Sequence, residues 1–551
     1  MNKNILSLLT LGMLSGLLAT GLSSCKSDPL SLAPIDHYGS ENYWKTPEQA
    51  RAYIIGVHKH LRDQDWQHMM TFGELPGGSF KNGSTSSDAM TLGAGDIRLH
   101  NLDEEHTVGK FGNLFGRITN LNLFISRVDN CGLPEAEKSY YLAQIYGLRA
   151  YYYFELHRVW GGVPIRLDAS VVDGERDPNK LYEGRRSPKE VLDQVKSDLQ
   201  KSLELFGDRD GFSYYGLPAK AFWSKAATEC LAADVALWSA KVTTFDAKAD
   251  PSQIAVAKKH LQSLMSNYGL SLQSDFGKIY DTTNKANSEV IFASRYMEGE
   301  ASTGAGSFLY DLNTGQSKGQ IREDGTPFGN PFQISGGNQS YQYDDNLFLS
   351  YDREDTRRNA TFFPVYDKKV FTETGVMKLW GTHLCKNIGH MNQQGNRVFD
   401  GDIIYYRLAW VYLTLAEVAN YEGDNAKVAE YINAIRKRAY GADWDAAKYG
   451  YVAGDFTQNE LAILQEKDKE FVNEGQRWWD LRRMQYTKGG THLVFKKEAS
   501  FYHGIPELDE ATESHEVLWP VDKALLNNDP KIFQTPGYKS GVRDYDGSWG
   551  K

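Results

Sequence analysis

The sequence predicts a mostly α fold in which tetratricopeptide-like helical hairpins (an α-α superhelix) support an irregular, loop-rich region with a few short strands. Apolar residues recur at helical spacing in several segments on both sides of residue 270. One helix–turn–helix unit, centred on Glu422, matches the length of a repeat of about 34 residues. Two long segments, 63–107 and about 270–402, lack this periodicity and are rich in Gly, Asn and Ser.

The N-terminus has the layout of a secretory signal. Lys3 precedes an apolar run from Ile5 to Leu22, and Cys25 follows two small residues. The run is rich in Gly and Ser and is short for a membrane span of ~20 apolar residues. Leu22-Ser23-Ser24-Cys25 resembles a bacterial lipobox, which implies cleavage before Cys25 and acylation of its thiol. We therefore expect a signal peptide over 1–24 and a mature chain held to a membrane by acyl chains on Cys25; an ordinary cleaved signal with an incidental cysteine is the alternative.

Composition excludes nucleic-acid binding and limits the architecture. The 551 residues carry a formal net charge of −10, whereas nucleic-acid binding requires a basic face. A chain of this length either splits into domains or is built from stacked helical units. Cys131, Cys230 and Cys385 lack metal-ligand spacing, and we expect them to be buried free thiols.

Local signals place the helices before residue 270. Thr46-Pro47 with Gln49, and Ser187-Pro188 with Glu190, are capping-box helix starts. Gly161-Gly162-Val163-Pro164 ends the most strongly periodic helix. The predicted helices there cover about 47–62, 111–128, 136–160, 188–203, 219–242 (with a small-residue face) and 253–267.

The C-terminal part, 403–551, returns to helical periodicity. A helix containing Leu408 and Ala419 leads through a turn at 422–425 into a second helix that ends near Ala439. A further helix is predicted over 459–473, and the tail after Gly490 is irregular. Within 270–402, Val290-Ile291-Phe292-Ala293 is typical of a short strand.

Several motifs resemble those of the SusD/RagB family of lipoproteins. Tyr406-Arg407-Leu408-Ala409 opens a helix that continues to Glu417, as in that family, and Glu474-Gly475-Gln476-Arg477 is followed by Asp480-Leu481 and Arg483. Trp410 and Thr535 stand where Glu and Asn are usual. The resembling segments, from the lipobox to Tyr538, include 144–154, 161–164, 406–417, 433–439, 470–483 and 519–538.

The resemblance implies a non-catalytic outer-membrane surface lipoprotein that binds oligosaccharide and passes it to a SusC-like TonB-dependent transporter. It also implies that residues 25–551 form one SusD/RagB-like domain with four helical hairpins. The RagB branch leaves a peptide ligand open as an alternative. The shared Arg149, Arg407, Arg436 and Arg477 are interpreted as structural, paired with carboxylates such as Glu417 and Glu474, and Trp478-Trp479 as core.

Ligand-contacting residues are expected in the two irregular segments. A sugar ring offers an apolar C–H face and a rim of hydroxyls, so a site needs exposed aromatic rings and polar side chains. No shared motif fixes these residues. The candidates are Trp66, Phe80, Asp88 and Asp96 in the first segment, and Tyr296, Phe308, Tyr310, Phe332, Tyr341 and Tyr343 in the second.

Enzymatic function and metal binding have little support in the sequence. It has no His-Glu-x-x-His, P-loop, Gly-x-Ser-x-Gly or dinucleotide motif. A glycan hydrolase would need two facing carboxylates, and no such pair is singled out. We expect no cofactor; the acidic tract Tyr343-Asp344-Asp345 with Asp352, Glu354 and Asp355 leaves Ca²⁺ open, with a solvated acidic turn as the alternative.

Overall fold

A computed structural model of the chain describes residues 43–550 apart from 64–67, 83–96, 107–109, 171, 173, 175–176, 304–316 and 335–340. The predicted mostly α fold is confirmed. The α-helices are α1 (Pro47–Arg62), α2 (Phe111–Arg127), α3 (Glu135–Trp160), α4 (Pro178–Leu181), α5 (Pro188–Phe206), α6 (Lys225–Lys241), α7 (Gln253–Asn267), α8 (Asp345–Leu349), α9 (Thr356–Thr361), α10 (Lys368–Thr374), α11 (Leu408–Glu422), α12 (Asn425–Tyr440), α13 (Ala446–Tyr449), α14 (Phe456–Glu470), α15 (Arg477–Arg483) and α16 (Lys523–Asn528).

Short strands form four small antiparallel sheets, with β1 paired to β4, β2 to β9, β7 to β8, and β5 lying between β3 and β6. Except for β1 and β9, the strands come from the irregular region 270–402. The strands are β1 (Phe80–Asn82), β2 (Val290–Ser294), β3 (Gln320–Ile321), β4 (Tyr341–Tyr343), β5 (Phe362–Asp367), β6 (Leu379–Leu384), β7 (His390–Met391), β8 (Arg397–Val398) and β9 (Ile403–Arg407).

Two predicted helix starts are confirmed by their capping hydrogen bonds. The Thr46 hydroxyl accepts from the Gln49 backbone N–H at 3.4 Å, and the Gln49 side chain accepts from the Thr46 N–H at 3.1 Å. Ser187 and Glu190 make the same reciprocal pair at 3.3 and 2.9 Å. These bonds satisfy backbone donors that the first helical turn leaves open.

Two other predicted helix starts are wrong. Helix α6 begins at Lys225 and not at Ala219, because Lys220 has a positive φ of 62° and the Ser224 hydroxyl caps the helix. Asp455 caps α14 at Phe456, three residues before the predicted start. The predicted start of the C-terminal helices at Leu408 is confirmed, and the first residues of the Tyr406–Glu417 motif lie on strand β9, where Arg407 is paired with Val290.

Paired helices form the scaffold. Helix α3 packs on α5, α6 on α7 and α11 on α12, while α7 and α14 also pack on α11. The small residues of α6 are buried, and Gly147 of α3 lies so close to Trp223 that a Cβ there would overlap the indole nitrogen. The absence of a side chain at Gly147 therefore leaves the space that the Trp223 ring fills.

Buried ion pairs join the C-terminal helices to the irregular region. The Arg407 guanidinium contacts Glu474 at 2.9 Å, Glu470 at 2.6 Å and Glu289 at 2.8 Å. Burial opposes ionisation of Glu470, but Arg438, Arg407 and Arg357 outweigh it and lower the pKa of that carboxyl well below its usual value. Helix α14, the Glu474 turn, β9 and Glu289 before β2 are thus held by one charge cluster.

The structural interpretation of the other shared residues is confirmed. Arg149 makes a bidentate pair with Asp198 at 2.7 and 2.8 Å, Arg436 pairs with Glu466 at 2.8 Å, and Arg477 pairs with Asp468. Glu417 pairs with Lys241 and Arg483. Trp478 and Trp479 are buried.

The three cysteines are free thiols, with Cys131 and Cys230 buried and Cys385 half-buried. Among the described helices, none combines the length and the apolar character required to cross a membrane.

Candidate functional site

The two irregular segments predicted to carry ligand contacts meet in a two-stranded ribbon. In this ribbon β1 pairs with β4, with Phe80 opposite Tyr343, Lys81 opposite Gln342 and Asn82 opposite Tyr341. The Phe80 and Tyr343 rings pack 4.3 Å apart and both are buried. Segments 83–96 and 335–340 therefore both connect to the same end of the ribbon.

Tyr296 of the second segment contacts the end of α1. Its hydroxyl donates to the Arg62 carbonyl at 2.9 Å, and the Arg62 guanidinium lies 5.8 Å from the centre of its ring. Arg62 also donates to the Arg295 carbonyl at 2.9 Å and pairs with Glu300 at 2.5 Å. The end of α1 is thus fixed to the start of the second irregular segment.

Glu74 anchors the ribbon to the helical scaffold. Its carboxylate accepts from the Tyr343 hydroxyl at 2.8 Å, the Asn473 N–H at 3.0 Å and the Gly475 N–H at 2.9 Å. Burial raises the pKa of Glu74 to about 7, although these three donors favour its ionised form. Since Asn473 and Gly475 follow α14, the position of the ribbon is set by the charge cluster at Arg407.

An exposed tryptophan lies beside this ribbon. In the β5–β6 pair Val365 is opposite Gly381 and Tyr366 is opposite Leu379, so Trp380 is the extra residue of a β-bulge. Its side chain is 39% exposed. Bulges commonly redirect a side chain next to a functional site. The neighbouring Gly381 lies against Gln342, where a Cβ would overlap the side-chain amide.

We call Lys81, Gln342, Asp345, Trp380 and Gly381 the ribbon site. Lys81 Nζ and Asp345 Oδ2 lie 2.6 Å apart, and both side chains are partly exposed. Gly381 also lies near Asp345, where a Cβ would be 3.8 Å from Oδ1. Trp380 adjoins Gly381 in the chain, so an exposed indole and a charged donor and acceptor belong to neighbouring elements. A sugar ring needs these kinds of group.

Three of the eight predicted ligand residues lie within the described part of the chain. Trp66, Asp88, Asp96, Phe308 and Tyr310 lie outside the described residues. Tyr341 lies in β4 opposite Asn82. Tyr296 is 5% exposed. Phe332 is 9% exposed, and its ring packs on the rings of Phe328 and Phe363. Ligand contact by these eight residues stays a prediction.

Sequence reasoning missed Trp380. It is the single Trp between residues 270 and 402, and it precedes a glycine, which often marks a bulge within a strand. Those two signals could have found it. The buried Phe80 and Tyr343, by contrast, form the floor of the ribbon and expose no stacking face.

The acidic tract is engaged with protein groups. Asp344 caps α8, Asp345 pairs with Lys81, and Asp355 caps α9 and pairs with Arg357. Asp352 accepts from the Tyr440 hydroxyl. Within the part of the chain that the structure describes, no group of three His, Cys, Asp or Glu side chains is arranged to hold a metal ion.

A small polar cavity of about 60 Å³ lies below His68, the first described residue after 64–67. Its charges are matched internally, because Arg158 pairs with Glu155 and with Asp234. The volume is far below the roughly 300 Å³ of a typical small-molecule site. It is too small for a sugar ring.

Comparison with known proteins decides the family. A family model described as SusD family matches residues 372–538, and one described as starch-binding associating with outer membrane matches 67–233. A crystal structure of a SusD superfamily protein from Bacteroides fragilis NCTC 9343 is 54% identical, covers 90% of this chain and 100% of its own, and has a TM-score of 0.85. The chain belongs to the SusD family.

Other SusD proteins share its whole length. The SusD-like protein P38 of Formosa agariphila is 25% identical over 547 residues, which cover 94% of this chain and 96% of that protein. A laminarin-binding SusD-like protein has the same fold, with a TM-score of 0.63 at 19% identity over 90% of this chain and 100% of its own. The SusD fold therefore includes both the helical pairs and the irregular region that carries the ribbon site.

Proposed function

We propose that this SusD-family protein is a non-catalytic, lipid-anchored cell-surface protein that binds oligosaccharide and passes it to a SusC-like TonB-dependent outer-membrane transporter. The observation that carries the proposal is the exposed Trp380 at the β6 bulge, whose chain neighbour Gly381 lies against Gln342 and near the Asp345 that pairs with Lys81. An indole face stacks on the C–H face of a sugar, while a lysine and a carboxylate bind its hydroxyls. The rigid ribbon and the bulge hold these groups in place before ligand arrives.

The relatives support a glycan ligand. One matching family model is described as starch-binding, and a protein of the same fold is described as laminarin-binding. The same model description associates its members with the outer membrane, which is consistent with the signal and with Cys25. We expect radiolabelled palmitate to enter the full-length protein and to be lost in Cys25→Ala.

Calorimetry with the mature chain lacking Cys25 tests the ligand class. We expect binding of maltooligosaccharides or laminarioligosaccharides, and Trp380→Ala should weaken it by about 1–3 kcal/mol, or roughly 5- to 150-fold. Trp444→Ala is the matched control, since Trp444 is half-buried after α12 and lies outside the ribbon site. Equal affinity in the wild type and Trp380→Ala would contradict this placement.

The same samples separate the alternatives. Release of reducing sugar from a polysaccharide panel would make the protein a hydrolase. Binding of peptides but not of glycans would favour a RagB-type peptide carrier, whose ligand would be held through main-chain amides. Glycan binding without turnover supports the proposal.

A further inference from the structure

A cavity of about 400 Å³ lies at the C-terminal end of α6 and shares no residue with the ribbon site. Its lining comes from the loop after α6, the end of α15 and the irregular tail. The buried lining residues include Arg482, Val494 and Leu518, His492 is half-buried, and the exposed ones include Thr243, Phe245, Ser514 and Gly537. The cavity thus runs from an open mouth to a buried floor, and its volume is that of a small-molecule site.

Arg482, on the cavity floor, has no acidic partner among the described residues. It is 5% exposed, and its one hydrogen bond runs from Nη1 to the Arg158 carbonyl at 2.6 Å. A guanidinium has five N–H donors. Its other neighbours are the rings of Trp238, Trp478 and Trp479, whose centres lie 5.1, 5.7 and 5.5 Å from the guanidinium carbon.

The neighbouring Arg483 shows that a buried arginine in this helix can have acidic partners. Arg483 is also buried, but it pairs with Glu417 at 2.9 Å, Asp480 at 2.6 Å and Asp234 at 3.3 Å. A buried cation without a counterion costs several kcal/mol, and aromatic faces offset only part of that. Arg482 therefore favours an anion from outside the protein.

The charge that faces the cavity is positive. Burial, reinforced by Arg158, lowers the pKa of Arg482 to about 9, so the guanidinium is protonated at neutral pH. Burial lowers the pKa of His492 to about 4 and also lowers that of His515, so both imidazoles are neutral there. The rest of the described lining is mostly apolar, including Phe245 and Phe495.

We propose that this cavity binds a small organic carboxylate. The carboxylate would pair with Arg482, for which a planar two-oxygen anion is the best geometric match. The apolar body would lie against Phe245, Val494, Phe495 and Leu518. A compact phosphate fits less well, because a single cation on an apolar floor leaves most of its oxygens without donors.

Matched acid and amide pairs test the proposal. The probes are 4-phenylbutanoate with 4-phenylbutanamide and octanoate with octanamide, measured at pH 7 by ligand-observed NMR and calorimetry on the mature chain lacking Cys25. We expect at least one acid to bind at least tenfold more tightly than its amide. Arg482→Gln should remove that preference, while Arg353→Gln, at an exposed arginine outside the cavity, should keep it.

A second variant controls for folding. Val494→Trp fills the cavity and leaves Arg482 in place, so it should abolish binding of the acid while oligosaccharide binding at the ribbon site is unchanged. Three results would overturn the proposal. Acids and amides could bind equally well, or Arg482→Gln or Val494→Trp could keep the full affinity for the acid. No acid could bind at ligand concentrations up to about 10 mM, on the order of the weakest specific complexes. None of these outcomes depends on the glycan result.

Discussion

Replacing Arg407 by Met is expected to destabilise the whole chain, because this arginine is the centre of the buried charge cluster. Its guanidinium donates to the carboxylates of Glu289, Glu470 and Glu474 and to the Glu470 carbonyl at 2.8 Å. Methionine fills part of the volume but supplies no donor. Three carboxylates would each lose a partner.

The remaining cations compensate in part. Arg438 still pairs with Glu289 and Glu470, and Lys386 with Glu474 at 2.6 Å. Breaking a buried pair costs about 3–5 kcal/mol, and we expect the loss to lie in this range. The entropy of unfolding is about 2.1 cal/mol/K per residue, which gives roughly 1 kcal/mol/K for a chain of this size. The expected fall in Tm is therefore about 3–5 °C.

Calorimetric or circular-dichroism melts of the mature chain measure this shift. Arg407→Lys keeps the charge but loses the forked geometry, so its Tm should lie between those of Arg407→Met and the wild type. Arg353→Met, at an exposed arginine, is the control. If Arg407→Met melts within about 1 °C of that control, the cluster does not stabilise the fold as argued.

Two further predictions concern stability. Burial opposes ionisation of Glu470 and Glu474, but the facing cations hold the pKa of both carboxyls below the usual value. The stability that the two carboxylates contribute is therefore present above their unfolded pKa of about 4.3 and is lost as pH falls. Urea midpoints should drop between about pH 5 and pH 3, and a flat profile would contradict the pairing. Gly147→Ala should lower the free energy of unfolding by about 1–3 kcal/mol, because the new Cβ would overlap Trp223. Gly56→Ala in α1 is the control: a Cβ there has nothing within 4 Å, so this variant should be neutral or stabilising. Equal urea midpoints for the two variants would refute this prediction.

The sequence predicts best what local chemistry decides. The starts of α1 and α5 were predictable because the capping residues lie three positions apart. The bounds of α7 follow from apolar spacing alone. The wrong start of α6 shows the limit of spacing, since 219–224 is apolar enough to continue the pattern but turns at Lys220.

Non-local pairing decides the rest. Ile403-Ile404-Tyr405-Tyr406 is a strand-like run, but only the pairing with β2 shows that the strand continues to Arg407. Trp380 owes its exposure to a bulge opposite β5. Arg482 and Arg483 are adjacent residues of the same type. Among the described residues, however, Arg483 has three acidic partners and Arg482 has none.

The ribbon also has a consequence for how the protein is made. Lys81 and its partner Asp345 are separated by 264 positions in the chain, and Glu74 and Asn473 by 399. During synthesis from the N-terminus, β1 must wait without its partner strand until most of the polypeptide has emerged. Such late closure is slow, and an open strand edge readily pairs with other chains. A holdase that shields this edge would therefore raise the yield of folded protein, and chains truncated before residue 341 would be unable to form the ribbon.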